Sequence, residues 1–175
     1  MTNYITALIF NLLILEPNHP LNQNVELREV VASDMVHAGK RYGIPPDLLT
    51  VWFFEESSLR INAVGKKKEF GISQIHPCNF ELCRSLGYSL DDSKGQMMCG
   101  AAIMDIGIRK CGTLTRGLWF YASNRGCPGT DRAKRITARR LRRVERLAKK
   151  LDKDRYLSEE SHNERTDTET AEATP

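Results

Sequence analysis

The run Pro45-Pro46-Asp47-Leu48-Leu49-Thr50-Val51-Trp52-Phe53-Phe54-Glu55-Glu56-Ser57 constrains this chain more than any other stretch. Proline is tolerated in the first turn of a helix, where its missing N–H has no partner to lose, so Pro45 and Pro46 open one. The body of that helix is apolar almost all round, and such a helix is stable only when other elements enclose it. It is therefore expected at the buried centre of the domain, with two carboxylates at its C-terminal end.

The flanking sequence supplies elements to enclose it. Leu27, Val30, Val31, Met35 and Ala38 recur at helical spacing after Val25, and Gly43 stops that helix where a left-handed residue is wanted. Residues 60–77 lose the helical period and contain Gly65, Gly71 and Pro77, which predicts a long loop with a short extended piece from Phe70 to Ile75. Further helices are expected over 79–86, 91–108 and 114–123. A last amphipathic helix over 131–152 turns Ile136, Leu141, Val144, Leu147 and Leu151 inward and its arginines outward. A chain of 175 residues with 41% hydrophobic content fills one ordinary core. The expectation is a mainly α domain over 25–155 with a long active-site loop.

Both ends differ from this body. Tyr4 to Leu15 is an apolar run of signal-peptide length, too short to span a bilayer, and Pro17 to Asn24 reads as a linker. No Lys or Arg precedes the run, and Glu16-Pro17-Asn18-His19 is not a small-residue cleavage site, so a packed helix stays open as the alternative to an export signal. Residues 156–175 carry six Asp/Glu against one Arg and are expected to remain a disordered tail. Residues 131–155 carry twelve Lys/Arg against four Asp/Glu, so the formal charge of +4 averages two opposite segments. Such a basic surface suits a polyanion: a wall polymer with acidic peptides, an anionic membrane surface, or nucleic acid. The nucleic-acid reading is the weaker one, since no recognition motif or aromatic interleaving accompanies the arginines.

Five cysteines suggest disulfides and an oxidising compartment, with Cys78–Cys83 and Cys111–Cys127 as the expected pairs and Cys99 as a buried thiol. Reduced cysteines acting as small apolar fillers are the alternative. Spacing for a CxxC metal pair is absent.

A carboxyl group buried without a partner has its pKa raised, which suits a general acid working near neutral pH. Glu55 and Glu56 compete for that role. Neighbours on a helix point about 100° apart, so one faces a cleft and the other is a solvated or paired surface acid.

Four pieces in order settle the choice by resemblance: Tyr42-Gly43-Ile44-Pro45-Pro46-Asp47-Leu48-Leu49, then Glu56-Ser57-Ser58-Leu59, then Asn62-Ala63-Val64, then Gly71-Ile72-Ser73-Gln74-Ile75-His76-Pro77. Over about residues 36–150 the chain resembles the soluble lytic transglycosylase domain of the lysozyme superfamily. The resemblance implies a lysozyme-like helical fold, Glu56 as the catalytic group, and Ser57, Gly71, Gln74 and Asn124 in substrate binding; Tyr121, two residues before Ser123, is the candidate to take the place of the family tyrosine in substrate binding. It implies cleavage of the bond between N-acetylmuramic acid and N-acetylglucosamine in peptidoglycan, with a 1,6-anhydro product and no metal or organic cofactor. Two positions depart from the family. Ser123-Asn124 stands where Tyr-Asn is common, and Arg140 stands where a tyrosine often sits in the last helix.

Hydrolysis of the same bond requires a second carboxylate, for which Glu69 is the best candidate; its alternative role is an exposed loop residue beside Lys66-Lys67-Lys68. A protein that kept the fold but only binds an envelope or nucleic acid through its basic helix is the non-enzymatic alternative. The expected location is the periplasm, the cell envelope or a phage virion. Peptidoglycan strands are the expected partner, in wall remodelling, secretion, conjugation or phage assembly. His76 is expected as a turn residue, and Trp119, Phe120 and Tyr121 as core aromatics of which a sugar contact is the minority reading.

Overall fold

A computed structural model describes the backbone of residues 1–14, 16–123 and 126–171, and side chains as far as residue 152. Among the described residues the chain is mainly helical. Its α-helices are α1 (Thr2–Leu13), α2 (Pro20–Gln23), α3 (Val25–Tyr42), α4 (Pro46–Ser57), α5 (Phe80–Ser85), α6 (Ser93–Cys111), α7 (Leu114–Ser123) and α8 (Asp131–Ala171), with a 3-10 turn at Pro77–Asn79.

α4 is the enclosed helix the sequence predicts. Leu49, Val51, Trp52 and Phe53 are fully buried, and α1, α3 and α8 pack around them. Pro45 precedes its first turn, and Ser58 closes it in a left-handed conformation (φ 52°) with its N–H donating to the Phe54 carbonyl at 2.7 Å. α3 starts where the Asn24 side chain accepts the Leu27 N–H at 2.9 Å and stops at Gly43, whose φ of 64° a residue with Cβ adopts only at a cost.

Three expectations need correction, and the apolar N-terminal run, left open between an export signal and a packed helix, folds as α1, whose Ile5, Leu8, Ile9, Leu12 and Leu13 share one core with Met35 and Trp52. Each such burial stabilises by roughly 1.5–3 kcal/mol, so residues ahead of Val25 belong to the domain core, and the linker contains the one-turn helix α2. The stretch from Phe70 to Ile75 is a closed turn rather than an extended piece. Phe70 N–H donates to Ile75 O at 3.0 Å and Ile75 N–H returns to Phe70 O at 2.9 Å.

The last helix continues past residue 152 to Ala171 and takes in most of the acidic segment that was expected to lack structure. No Gly or Pro interrupts residues 131–171, so no residue in the segment breaks the backbone hydrogen-bond ladder that α8 carries outward from its packed half.

The cysteines pair differently at one site. Cys83–Cys99 joins α5 to α6 with Cα atoms 5.3 Å apart, and Cys111–Cys127 joins the end of α6 to the loop before α8 at 5.1 Å. Cys78 is exposed and outside both bridges. The expected Cys78–Cys83 bridge is therefore wrong and Cys99 is not a thiol: the Cys83 side chain points inward, into a small cluster with Ile75, Cys99 and Ile103. The expected Cys111–Cys127 bridge is present. Two disulfides fit an oxidising compartment. Among the described residues no helix is long and apolar enough to cross a membrane.

Candidate functional site

The C-terminal end of α4, the loop from Gly65 to His76 and the end of α7 enclose a cavity of about 290 Å³. Glu56, Glu69, Gln74, His76, Tyr121 and Ser123 all line it. Of the residues expected to act on substrate, Glu56, Gln74 and Tyr121 are thus brought together. Asn124 lies outside the described residues.

Ser57 and Gly71 contribute by holding the walls. The Ser57 hydroxyl donates to the Ile72 carbonyl at 2.7 Å, which fastens the loop to the end of α4. Gly71 has a φ of 77°, and a Cβ on it would meet Gln96 Oε1 at 2.2 Å. That oxygen accepts the Ile72 N–H at 2.8 Å, while Gln96 Nε2 donates to the Ile61 and Leu90 carbonyls at 3.1 and 2.8 Å. Gln96 is fully buried, and its three bonds satisfy loop backbone that would otherwise be stranded away from water. Sequence reading passed over Gln96. Its signal was an amide inside the apolar run of α6.

Gln74 adopts a positive φ of 49°, and its amide nitrogen donates to the Ala63 and Gly71 carbonyls at 3.2 and 3.0 Å. It therefore stabilises the loop while lining the cavity. His76 accepts the Cys78 N–H at 3.3 Å and caps the 3-10 turn, in keeping with a turn residue. Glu69, expected as an exposed loop acid, is half-buried in the cavity wall, and its Oε2 accepts the Lys67 N–H at 2.8 Å. Among the three aromatics of α7, Tyr121 alone reaches this cavity. Trp119 packs on Lys134 and Gly129 instead, and Lys110 sits over the Phe120 ring.

Glu55 and Glu56 are both ion-paired to α8. Glu55 receives Arg139 at 2.7 Å and Arg143 as well. Arg140 Nη1 donates to Glu56 Oε1 at 2.6 Å. The Arg140 side chain is only 6% exposed and that of Glu56 22%, and the guanidinium lies 4.4 Å from the centre of the Trp52 ring. Two expectations are corrected here. Glu56 does not occupy an apolar pocket without a partner, and the arginines of α8 do not all face outward. Ala133, Thr137, Arg140, Val144, Leu147 and Leu151 follow at steps of four and three, and that register carries Arg140 into the core beside its counter-charge.

Trp52 links the pair to Tyr121, whose ring meets it edge-on with centroids 6.2 Å apart. The Tyr121 hydroxyl donates to the Ser73 carbonyl at 2.6 Å. Burial raises its pKa, and the negative charge of Glu56 adds to the rise, so Tyr121 keeps its proton and serves as a donor. Chemically the cavity offers two carboxylates, an amide and a phenol around a space of sugar-ring size, with Lys66 and Lys67 also in its wall. Among the described residues no three His, Cys, Asp or Glu side chains converge as a metal-ligand set. No protein-family model matches the chain, and no curated protein matches it either.

Proposed function

We propose that the chain is a lytic transglycosylase of lysozyme-like fold that cuts peptidoglycan glycan strands with Glu56 as its one acid and base. The observation that supports this reading is the position of the Glu56 carboxyl at the end of a helix buried from Leu48 to Phe53, in the wall of a cavity shared with Gln74 and Tyr121. Glu56 gives its proton to the glycosidic oxygen, and the bond from that oxygen to the muramic C1 breaks. The resulting carboxylate then takes the proton of the muramic 6-hydroxyl as O6 bonds to C1, closing the 1,6-anhydro ring. Arg140 holds Oε1 throughout, and its guanidinium stabilises the carboxylate once the proton has gone. The disulfides support a periplasmic, envelope or virion location.

A hydrolytic second reading has one observation in its favour: Glu69 lines the same cavity as Glu56. A pair of carboxylates flanking the bond is what a muramidase uses. Against it, Glu69 Oε2 already accepts a backbone N–H of its own loop, which gives that side chain a structural role.

Digesting purified peptidoglycan and weighing the released sugars by mass spectrometry tests both readings. Ends carrying 1,6-anhydromuramic acid, absent from a Glu56→Gln variant, are expected. Reducing muramic ends that disappear in Glu69→Gln would favour the hydrolase. Full lytic activity in a folded Glu56→Gln protein would overturn both. Because Glu56 neutralises a buried arginine, Glu56→Gln/Arg140→Met is run alongside, so that loss of chemistry is not mistaken for loss of fold.

A further inference from the structure

The outer side of α8 carries a second pattern. Arg132, Arg135, Arg139, Arg142, Arg146 and Lys149 are all exposed and succeed one another at alternating steps of three and four residues. At about 100° per residue and 1.5 Å rise, they fall in one band roughly 100° wide and about 25 Å long. Every residue from 132 to 149 that falls in this band is a cation. The inward register of Ala133, Thr137, Arg140 and Val144 lies on the opposite side of the helix, so the band points straight away from the core. Glu55 engages Arg139 at its margin.

We infer that this face docks on an anionic phospholipid bilayer with α8 lying along the surface. A convex ridge brings all six cations into contact at once only with a flat or hollow partner. The band contains no apolar side chain to insert among acyl chains, so the attraction is electrostatic and depends on lipid charge and salt. It contains no aromatic ring on which a base could stack. The two disulfides fit an oxidising compartment, where phospholipid phosphates rather than chromosomal nucleic acid face the protein. Since no helix among the described residues is fit to span a membrane, attachment is to the surface. The inference does not depend on glycan cleavage, because none of these six side chains lines the Glu56 cavity.

Co-sedimentation of the full oxidised chain with vesicles made of equal parts phosphatidylglycerol and phosphatidylcholine tests it. Binding is expected at low salt, with release as salt rises and none to pure phosphatidylcholine. Each basic residue near an anionic surface contributes about fivefold in partition, so Arg135→Ser/Arg142→Ser/Arg146→Ser should weaken binding about 100-fold. The three positions are exposed, and an unchanged thermal melt would show that the fold survives. Replacing the same three by Lys keeps the charge and should keep the binding. Equal binding to pure phosphatidylcholine, full binding by the triple Ser variant, or loss in the triple Lys variant would each overturn the inference. Retention of duplex DNA at salt that releases the vesicles would also overturn it, by assigning the face to nucleic acid.

Discussion

The Glu56–Arg140 pair makes the sharpest demand on stability. Arg140 is 6% exposed and Glu56 22%, and the Arg140 Nε is buried with no hydrogen-bond partner, so the guanidinium depends on this one carboxylate and on the Trp52 face. Removing one partner of a buried pair leaves the other charge uncompensated, at a typical cost of 3–5 kcal/mol. Gln at position 56 keeps an acceptor oxygen and the site borders a cavity, so Glu56→Gln should cost about 3 kcal/mol, the low end of that range. Arg140→Met loses the cation–π contact, worth about 2 kcal/mol when desolvated, and regains part of it as a sulfur–aromatic contact. The double variant leaves no buried charge, so it should be more stable than the sum of the singles implies, with a coupling of about 2 kcal/mol. Urea unfolding followed by far-UV circular dichroism reads this directly. With a slope of about 2 kcal/mol per molar urea, Glu56→Gln should shift the midpoint by about 1.5 M. Additive single effects, or a Glu56→Gln midpoint within about 0.25 M of wild type, which is about 0.5 kcal/mol, would refute the reasoning.

Other expectations follow from particular contacts. Each disulfide closes a loop of sequence separation 16, for which chain entropy contributes about 3 kcal/mol; Cys111→Ser/Cys127→Ser should lose that much in denaturant unfolding, and an unchanged midpoint would refute it. Gly71→Ala should destabilise by about 2–4 kcal/mol, because the left-handed backbone and the anchored Gln96 both exclude a Cβ. Calorimetry checks this, and a melting temperature like that of wild type would count against the loop geometry. Tyr42 is bonded to the Tyr88 hydroxyl, and burial first and that bond second push its pKa up from 10.0 to about 12. A raised folded pKa means that the folded state keeps its proton longer, so stability is full below pH 10.0 and is lost as pH rises towards about 12. Tyr42→Phe should flatten that alkaline decline in melting temperature, and an identical slope in the variant would rule the assignment out.

Much of the fold was legible because apolar spacing is a direct record of burial. The enclosed run Leu48–Phe54 required surrounding helices, and Gly43, Pro46 and Ser123 mark ends that the structure keeps. The N-terminal run was ambiguous for a physical reason. An apolar dozen residues satisfies an export signal and a core helix equally, and its packing against α3 and α4 is visible only in the tertiary structure. Among site residues, Glu56 and Gln74 follow from the family resemblance and Tyr121 from its place near the missing family tyrosine, and the structure gathers all three around one cavity. Glu69 reads from its lysine neighbours as an exposed loop acid, and only the folded loop puts it in the cavity wall. The extent of α8 is not legible in residues 156–171, whose composition offers neither an apolar stripe nor helix-favouring residues throughout.

Taken alone, the sequence determined which segments are buried, where backbone must turn, and that two carboxylates end the central helix. These properties depend on residue type and short-range period, and both are written along the chain. Tertiary structure decided the partners. Cys83 meets Cys99 rather than Cys78 because the turn of α5 points its side chain towards α6, and Glu56 meets a cation 84 residues away because the inward register of α8 passes the end of α4. A charge is buried or solvated according to what the fold sets beside it. That neighbour is fixed only when all the helices have packed.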